Sequence, residues 1–273
     1  MAVPNGSQLT NGDISGEDTV SPSFTPDVGG TYVLQLMVYD GKDAGFDNVA
    51  VTVINSPPNP APAGGGVCEM NSQFPLNGQI SDYNGDIVEY EWSEGGMLLF
   101  EGTIQTIYGG TPVNLPEHSY QCATLGVHTV TLSASDGMNL PVAASISINV
   151  TDTTAPTLAP VPDKNILWPP NHKMVTVTIQ ANARDNSGGP VTLSAVVYSN
   201  EPQDGLGDGD VSPDWTESVI DQVNGIITLQ LRAERSGAGN GRTYTIMITG
   251  RDSSGNTSQA KVEIIVPHDK GKK

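Results

Sequence analysis

The stretch Gly126-Val127-His128-Thr129-Val130-Thr131-Leu132-Ser133-Ala134-Ser135-Asp136-Gly137 alternates apolar and small polar residues and ends at an Asp-Gly turn. Alternation with period two puts successive side chains on opposite faces of a strand, one face buried and the other wet. The pattern occurs three times. Gly30-Thr31-Tyr32-Val33-Leu34-Gln35-Leu36-Met37-Val38-Tyr39-Asp40-Gly41 precedes it and Gly241 through Asp252 follows it, each closing on an Asp. The inward sets predicted from this register are Tyr32, Leu34, Leu36 and Val38, then His128, Val130, Leu132 and Ala134, then Tyr244, Ile246, Ile248 and Gly250. Beyond each Asp a second alternating run follows, carried by Val49, Val51 and Val53, by Ile146, Ile148 and Val150, and by Val262, Ile264 and Val266. Two such strands joined by a short Asp-led turn make a hairpin. No window shows sustained helical periodicity, and Gly or Pro interrupts nearly all of them. The expected fold class is all-β, as small sandwiches in tandem.

Working outward from the hairpins, Ser56-Pro57-Pro58-Asn59-Pro60-Ala61-Pro62 reads as a stiff extended connector, and Asp152-Thr153-Thr154-Ala155-Pro156 as a second boundary. The modules expected are therefore 1–55, 58–152 and 153–267, followed by a basic tail, 268–273, with Lys270, Lys272 and Lys273. A length of 273 residues, 37% hydrophobic and only 5% aromatic, fits several thin cores better than one large one. The charge is −18, from 12 basic and 30 acidic residues. That sign argues against nucleic acid or an anionic membrane as partner, since phosphate binding needs clustered Lys and Arg. It leaves divalent cations that take oxygen ligands. No apolar run is long enough to span a membrane. Met1-Ala2-Val3-Pro4-Asn5-Gly6 lacks the charged and apolar regions of a signal peptide, so a secreted form would be mature or partial sequence.

Phe24-Thr25-Pro26-Asp27-Val28-Gly29-Gly30-Thr31-Tyr32, running on to Tyr39-Asp40-Gly41, resembles the C-terminal half of a PKD-type (polycystic kidney disease) immunoglobulin-like domain of bacterial extracellular proteins. The second module resembles a whole one, with Leu76-Asn77-Gly78, the loop Asp82-Tyr83-Asn84-Gly85-Asp86, Tyr90-Glu91-Trp92 and the strand up to Asp136-Gly137. The third resembles a bacterial Ig-like module, opening at Asp152-Thr153-Thr154-Ala155-Pro156 and carrying Leu167-Trp168-Pro169-Pro170-Asn171-His172-Lys173-Met174 and Arg251-Asp252-Ser253-Ser254-Gly255-Asn256. The resemblance implies immunoglobulin-like β-sandwiches and an extracellular or cell-surface habitat. It leaves function open among spacer, adhesin, fibre subunit and enzyme appendage. Residues 1–29 hold no Trp and no alternating run, so the first module lacks the opening strands of such a domain. Three explanations stand: a fragment of a longer chain, completion by strands of a neighbouring copy, or a reduced module leaning on the second. Strand addition from copy to copy that does not close would give a head-to-tail filament.

Metal ligation is the chemistry the sequence favours. Asp82, Asn84 and Asp86 offer oxygens at alternate positions, as calcium loops do, although Ile87 stands where an EF-hand has its Gly. The resemblance implies that the closing Asp136 shares that calcium. A second candidate set joins Asp152 with Asp185, Asn186 and Asp252, and a third comprises Asp204, Asp208, Asp210 and Asp214. Cys68 and Cys122, 54 residues apart, permit one disulfide, which in the chain-entropy model would contribute up to about 4 kcal/mol. Asn5, Asn149 and Asn256 head glycosylation sequons. Catalysis has little to stand on. The four histidines are His118, His128, His172 and His268, with His128 at an inward strand position, and no hydrolase or metalloprotease motif is present. Trp92 and Trp168 are expected in cores, and Trp215 either there or exposed for carbohydrate stacking. The function expected is a non-catalytic, calcium-stabilised subunit of an extracellular bacterial fibre or surface appendage, partnered by copies of itself or other surface proteins. The alternative is an accessory spacer or polysaccharide-binding region of a secreted hydrolase or adhesin.

Overall fold

The computed structural model describes residues 1–203 and 211–269 and is built almost wholly of strands. The chain separates into two compact units, Met1–Thr151 and Asp152–Lys273.

The first unit opens with a single 3-10 turn, Asn11–Asp13, and then the hairpin of β1 (Gly30–Tyr39) and β2 (Ala44–Val53), paired in register over ten residues. Among the described residues this hairpin forms a sheet of its own, with no third strand beyond an isolated bridge between Ala2 and Val33. Here the predicted inward set fails. Tyr32 is fully buried, packed on Phe24 and donating its hydroxyl to Asp27 and Val28, but Leu36, Val38 and Val49 are 61%, 62% and 54% exposed. Alternation marks a face that can be buried; burial itself needs an opposing sheet, and residues 1–29 supply only a cover for the Tyr32 end.

The rest of the unit is a complete sandwich. Its strands are β3 (Asn59–Pro62), β4 (Gly66–Glu69), β5 (Gln73–Leu76), β6 (Gly78–Ser81), β7 (Ile87–Glu94), β8 (Met97–Gln105), β9 (Val113–Asn114), β10 (His118–Gln121), β11 (Gly126–Ser135) and β12 (Val142–Thr151). One sheet runs β4-β12-β11-β7-β8, with β4 parallel to β12; opposite it, β3-β6-β9 and β5-β10 carry the remaining strands. Half of the Pro-rich connector is therefore the first strand of this sandwich. Trp92 on β7, fully buried, sits in a core with Leu76, Ile80, Leu132 and Ile148. A buried Trp that shares its core with a disulfide is an immunoglobulin-fold hallmark, and Cys68 and Cys122 lie in this same core. The disulfide Cys68–Cys122 joins β4 to the segment after β10, both sulfurs inside that core. His128 is not the apolar filler its register suggested. Its ring lies between Glu94, at 2.7 Å, and the Thr124 carbonyl, at 2.8 Å.

The second unit comprises β13 (Val161–Pro162), β14 (Met174–Gln180), β15 (Thr192–Ser199), β16 (Val219–Asp221), β17 (Ile226–Arg232), β18 (Gly241–Arg251) and β19 (Thr257–Pro267). Sheet β13-β14-β17-β16 faces sheet β15-β18-β19, the four-plus-three strand order of a constant-type immunoglobulin sandwich. Tyr244, Ile246, Ile248 and Gly250 all point inward as expected. Trp215 packs edge-on against Tyr244 at 6.2 Å, whereas Trp168, expected in the core, is 40% exposed. The three repeated strands share one local feature, a leading Gly at positive φ (Gly30 +132°, Gly126 +121°, Gly241 +109°), a backbone conformation that L side chains rarely adopt.

Candidate metal centres

The loop Asp82-Tyr83-Asn84-Gly85-Asp86 connects β6 to β7, and Asp136 is the first residue past β11, which pairs with β7. Loop and strand end therefore meet at one edge of the sandwich, and Asp82, Asp86 and Asp136 each bring a carboxylate oxygen within 4.8 Å of the others. Gly85 makes the turn possible: its φ is +75°, and a Cβ there would lie 2.8 Å from the Tyr108 nitrogen. Asp82 is only 1% exposed; its Oδ1 accepts the Asn84 N–H at 2.8 Å, while its Oδ2, like Oδ2 of Asp86, has no hydrogen-bond partner. Asp136 is well served. Its Oδ1 accepts from the N–H groups of Met138 and Asn139 at 2.9 and 2.7 Å, and its Oδ2 from the side-chain amides of Asn139 and Asn55 at 2.8 and 2.7 Å.

The electrostatics follow from that division. Burial, then the charges of Asp82 and Asp136, pushes the Asp86 carboxyl up to about 6. Burial also raises Asp82, with the Asp136 charge adding to it and the Asn84 N–H opposing. For Asp136 burial again pushes upward, but the hydrogen bonds from Asn139, Met138 and Asn55 outweigh it and hold the carboxyl low. Two carboxyls thus resist ionisation beside one that stays ionised, a frustrated arrangement that a bound cation would relieve.

The connector is part of this cluster. Asn84 turns its amide to the chain, accepting the Ser56 N–H at 2.8 Å and donating to the Ile54 carbonyl at 3.2 Å, so its oxygen does not join the three carboxylates as the loop spacing suggested. Asn55, absent from the sequence reading, reaches Asp136.

A second cluster repeats the plan in the second unit, where Asp152, Asp185 and Asp252 bring oxygens within 4.8 Å of one another. Asp152 lies one residue past β12, Asp185 in the loop between β14 and β15, and Asp252 directly after β18. Asp152 and Asp252 are buried. Asp252 accepts from the backbone and side-chain N–H groups of Asn256 at 2.8 and 2.9 Å, and Asp152 from the Ser254 hydroxyl at 3.0 Å. Oδ2 of Asp185 accepts from the N–H and hydroxyl of Ser187, and its Oδ1 has no partner. Burial pushes the Asp252 carboxyl up, but the Asn256 bonds outweigh it and lower it. Asn186 is exposed.

The third candidate set divides. Asp204, Asp208 and Asp210 lie outside the described residues. Asp214 is fully buried and ion-pairs with Arg242, with Arg232 at 3.9 Å; its charge is met by guanidinium groups, and it stands in neither carboxylate cluster. Of the sequon asparagines, Asn5 and Asn149 are exposed. The Asn256 amide nitrogen, the atom a glycan would modify, instead donates to Asp252 and to the Asp152 carbonyl.

The sequence reading assigned Asn55, Asn139, Asn256 and Ser254 no part in these clusters. A signal was present in two of them: an Asn follows the closing Asp by three residues at Asn139 and by four at Asn256.

No protein-family model matches the sequence, and no curated protein matches it. Among solved structures, similar chains include extracellular cadherin domains 1–5 of protocadherin gamma B2 (13% identity, TM-score 0.36), where the match covers 86% of this chain and 45% of that one. The N-terminal Ig1-2 module of the Drosophila receptor protein tyrosine phosphatase DLAR matches at 15% identity and TM-score 0.26, over 77% of this chain and 98% of that one. Dpr2 Ig1-Ig2, in complex with DIP-Theta Ig1-Ig3, matches at 11% identity and TM-score 0.29, over 94% and 82%. The present chain thus spans less than half of the protocadherin chain. At these scores the overlays carry little; strand order and core make the assignment of tandem immunoglobulin-like sandwiches.

Proposed function

We propose that this chain is a non-catalytic structural protein of the bacterial cell surface or extracellular space, whose PKD-type and Ig-like modules (1–55, 58–152 and 153–267) are stabilised by calcium and assembled into a fibre through the N-terminal hairpin. One observation carries the calcium part: each acidic triad holds a piece of the connecting chain, Asn55 at the first and Asp152 at the second. All-oxygen donors suit a hard divalent ion, and oxygens that share one calcium lie no more than about 5 Å apart, a limit these carboxylates meet. The first triad's buried, unpartnered Asp82 oxygen fits the same ion. A cation at each place would fix the connector onto the loop end of the sandwich that follows. The disulfide agrees with an oxidising, extracellular compartment.

The fibre part rests on the hairpin. Two strands alone are marginal in water, and three or more with a covered face are needed for stability. Its outer strand β2 is ten residues long, without Pro and without a bulge, the kind of edge that pairs with another chain. Several other edges are blunted: β3 carries Pro60 and Pro62, β9 and β16 are two and three residues long, and the Gln222 side chain caps the N–H and C=O of Leu193 on β15. The edges β8 and β19 are long too, at nine and eleven residues, but each belongs to a sheet of three or more strands with a buried face, which the hairpin lacks. A second copy brings strands with which to complete this edge. Sedimentation and electron microscopy of the purified protein in calcium test the reading. Filaments or oligomers that Leu36→Asp abolishes support it; a monodisperse monomer at high concentration overturns it. For the accessory carbohydrate-binding alternative, Trp215 is a poor platform because it packs against the second core, while Trp168 is 40% exposed.

A further inference from the structure

We propose that Asn55 is itself a ligand of the cation held by Asp82, Asp86 and Asp136, so that binding the ion and seating the connector on the sandwich are a single event. The inference rests on the calcium reading above and adds to it a ligand and a consequence.

The two triads are one design built twice, and their parts correspond. The closing strand ends at Asp136 in one and at Asp252 in the other. An Asn just beyond, Asn139 or Asn256, donates its side-chain amide both to that Asp and to a connector carbonyl, that of Asn55 at 3.4 Å or of Asp152 at 3.0 Å. The same connector residue therefore occupies both places, and it differs only in chemistry: a neutral amide at Asn55, a carboxylate at Asp152. The negative charge is redistributed accordingly, with two loop carboxylates, Asp82 and Asp86, beside the neutral connector and one, Asp185, beside the charged one.

The first triad also carries an independent sign of a missing ligand. Asp82 is 1% exposed, and its Oδ2 has no partner. Beside it the Asn55 amide is half used. Its Nδ2 donates to Asp136 at 2.7 Å, while its Oδ1 is buried with no partner. Without an ion the N–H is the better neighbour for a carboxylate. With an ion between the carboxylates, a half-turn of the same amide brings Oδ1 toward positive charge, as a neutral oxygen ligand of the kind calcium accepts. The residues on either side are pinned already, Ile54 and Ser56 by Asn84, so the cation would close the remaining gap in the connector's attachment.

The test is calcium titration by calorimetry of the full chain, in an Asp252→Asn background that disables the second triad, with thermolysin cleavage near the exposed Ile54 as a second readout. Asn55→Leu is expected to weaken binding about tenfold or more and to abolish protection of the connector by calcium; Asn55→Asp, which adds a fourth carboxylate, is expected to tighten it. Thermal melts of both variants without calcium establish that the sandwich is folded. Wild-type affinity and full protection in Asn55→Leu overturn the inference, as does weakened binding in Asn55→Asp, which would mark a merely positional role. No calcium heat from the parent protein would instead remove the calcium reading itself, and this inference with it.

Discussion

The hairpin of β1 and β2 and the hairpin of β11 and β12 are written in nearly the same pattern and meet opposite fates. Both begin on a Gly at positive φ, alternate over ten residues and turn at an Asp whose Oδ1 accepts the next backbone N–H groups. In the second, Val130, Leu132, Ile146 and Ile148 are buried against an opposing sheet; in the first, Leu36, Met37, Val38 and Phe46 stand 60% exposed or more. Period-two alternation therefore encodes a strand and its two faces, while burial depends on residues distant in sequence. The Asp shares the contrast. Asp136 meets an acidic loop and a connector, whereas Asp40 serves only its own turn.

The largest expected difference between the two regions is in their cores. Trp92→Ala should destabilise the second sandwich by about 3–5 kcal/mol, whereas Leu36→Ala in the monomer should change stability by no more than about 0.5 kcal/mol. Denaturant unfolding measures both, and a Leu36→Ala cost near that of a core site would show the hairpin face to be covered. Next in size is the disulfide. Replacing Cys68 and Cys122 with Ser should cost the sandwich about 2–4 kcal/mol and leave the hairpin's own hydrogen exchange unchanged; a loss of protection in β1 and β2 would make the two regions one cooperative unit. The smallest effect is one of pH. The hydrogen bond to Glu94, against some desolvation, raises the His128 pKa in the folded state. The stability from this pair is fully present below the ordinary histidine value of about 6.5 and is lost as pH rises through the raised folded value. The melting temperature of the sandwich should fall by at most a few degrees over that window, and Glu94→Gln should flatten the profile.

The strands were legible because each needs only its own neighbours to show its period. The loop acids Asp82 and Asp86 showed in their spacing, Asp136 joined them only through the resemblance, and both acidic sets, this one and Asp152, Asp185 and Asp252, do come together in the structure. What escaped depends on direction. Asn84 has the right spacing for a ligand, yet its amide turns to Ile54 and Ser56. Asp214 looks like one more loop acid, but Arg232 and Arg242, 18 and 28 residues away, turn inward to meet it. Asn55 sits in what reads as a featureless Asn-Ser-Pro-Pro connector, and nothing local announces that its amide reaches a carboxylate 81 residues on.

Equilibrium calcium binding to the full chain tests the central claim most directly. The account predicts that Asp136→Asn and Asp252→Asn each remove one bound calcium, with a rise in the melting temperature of the parent protein that EGTA reverses. Binding that survives both substitutions, or a melting curve indifferent to calcium and EGTA alike, would contradict it.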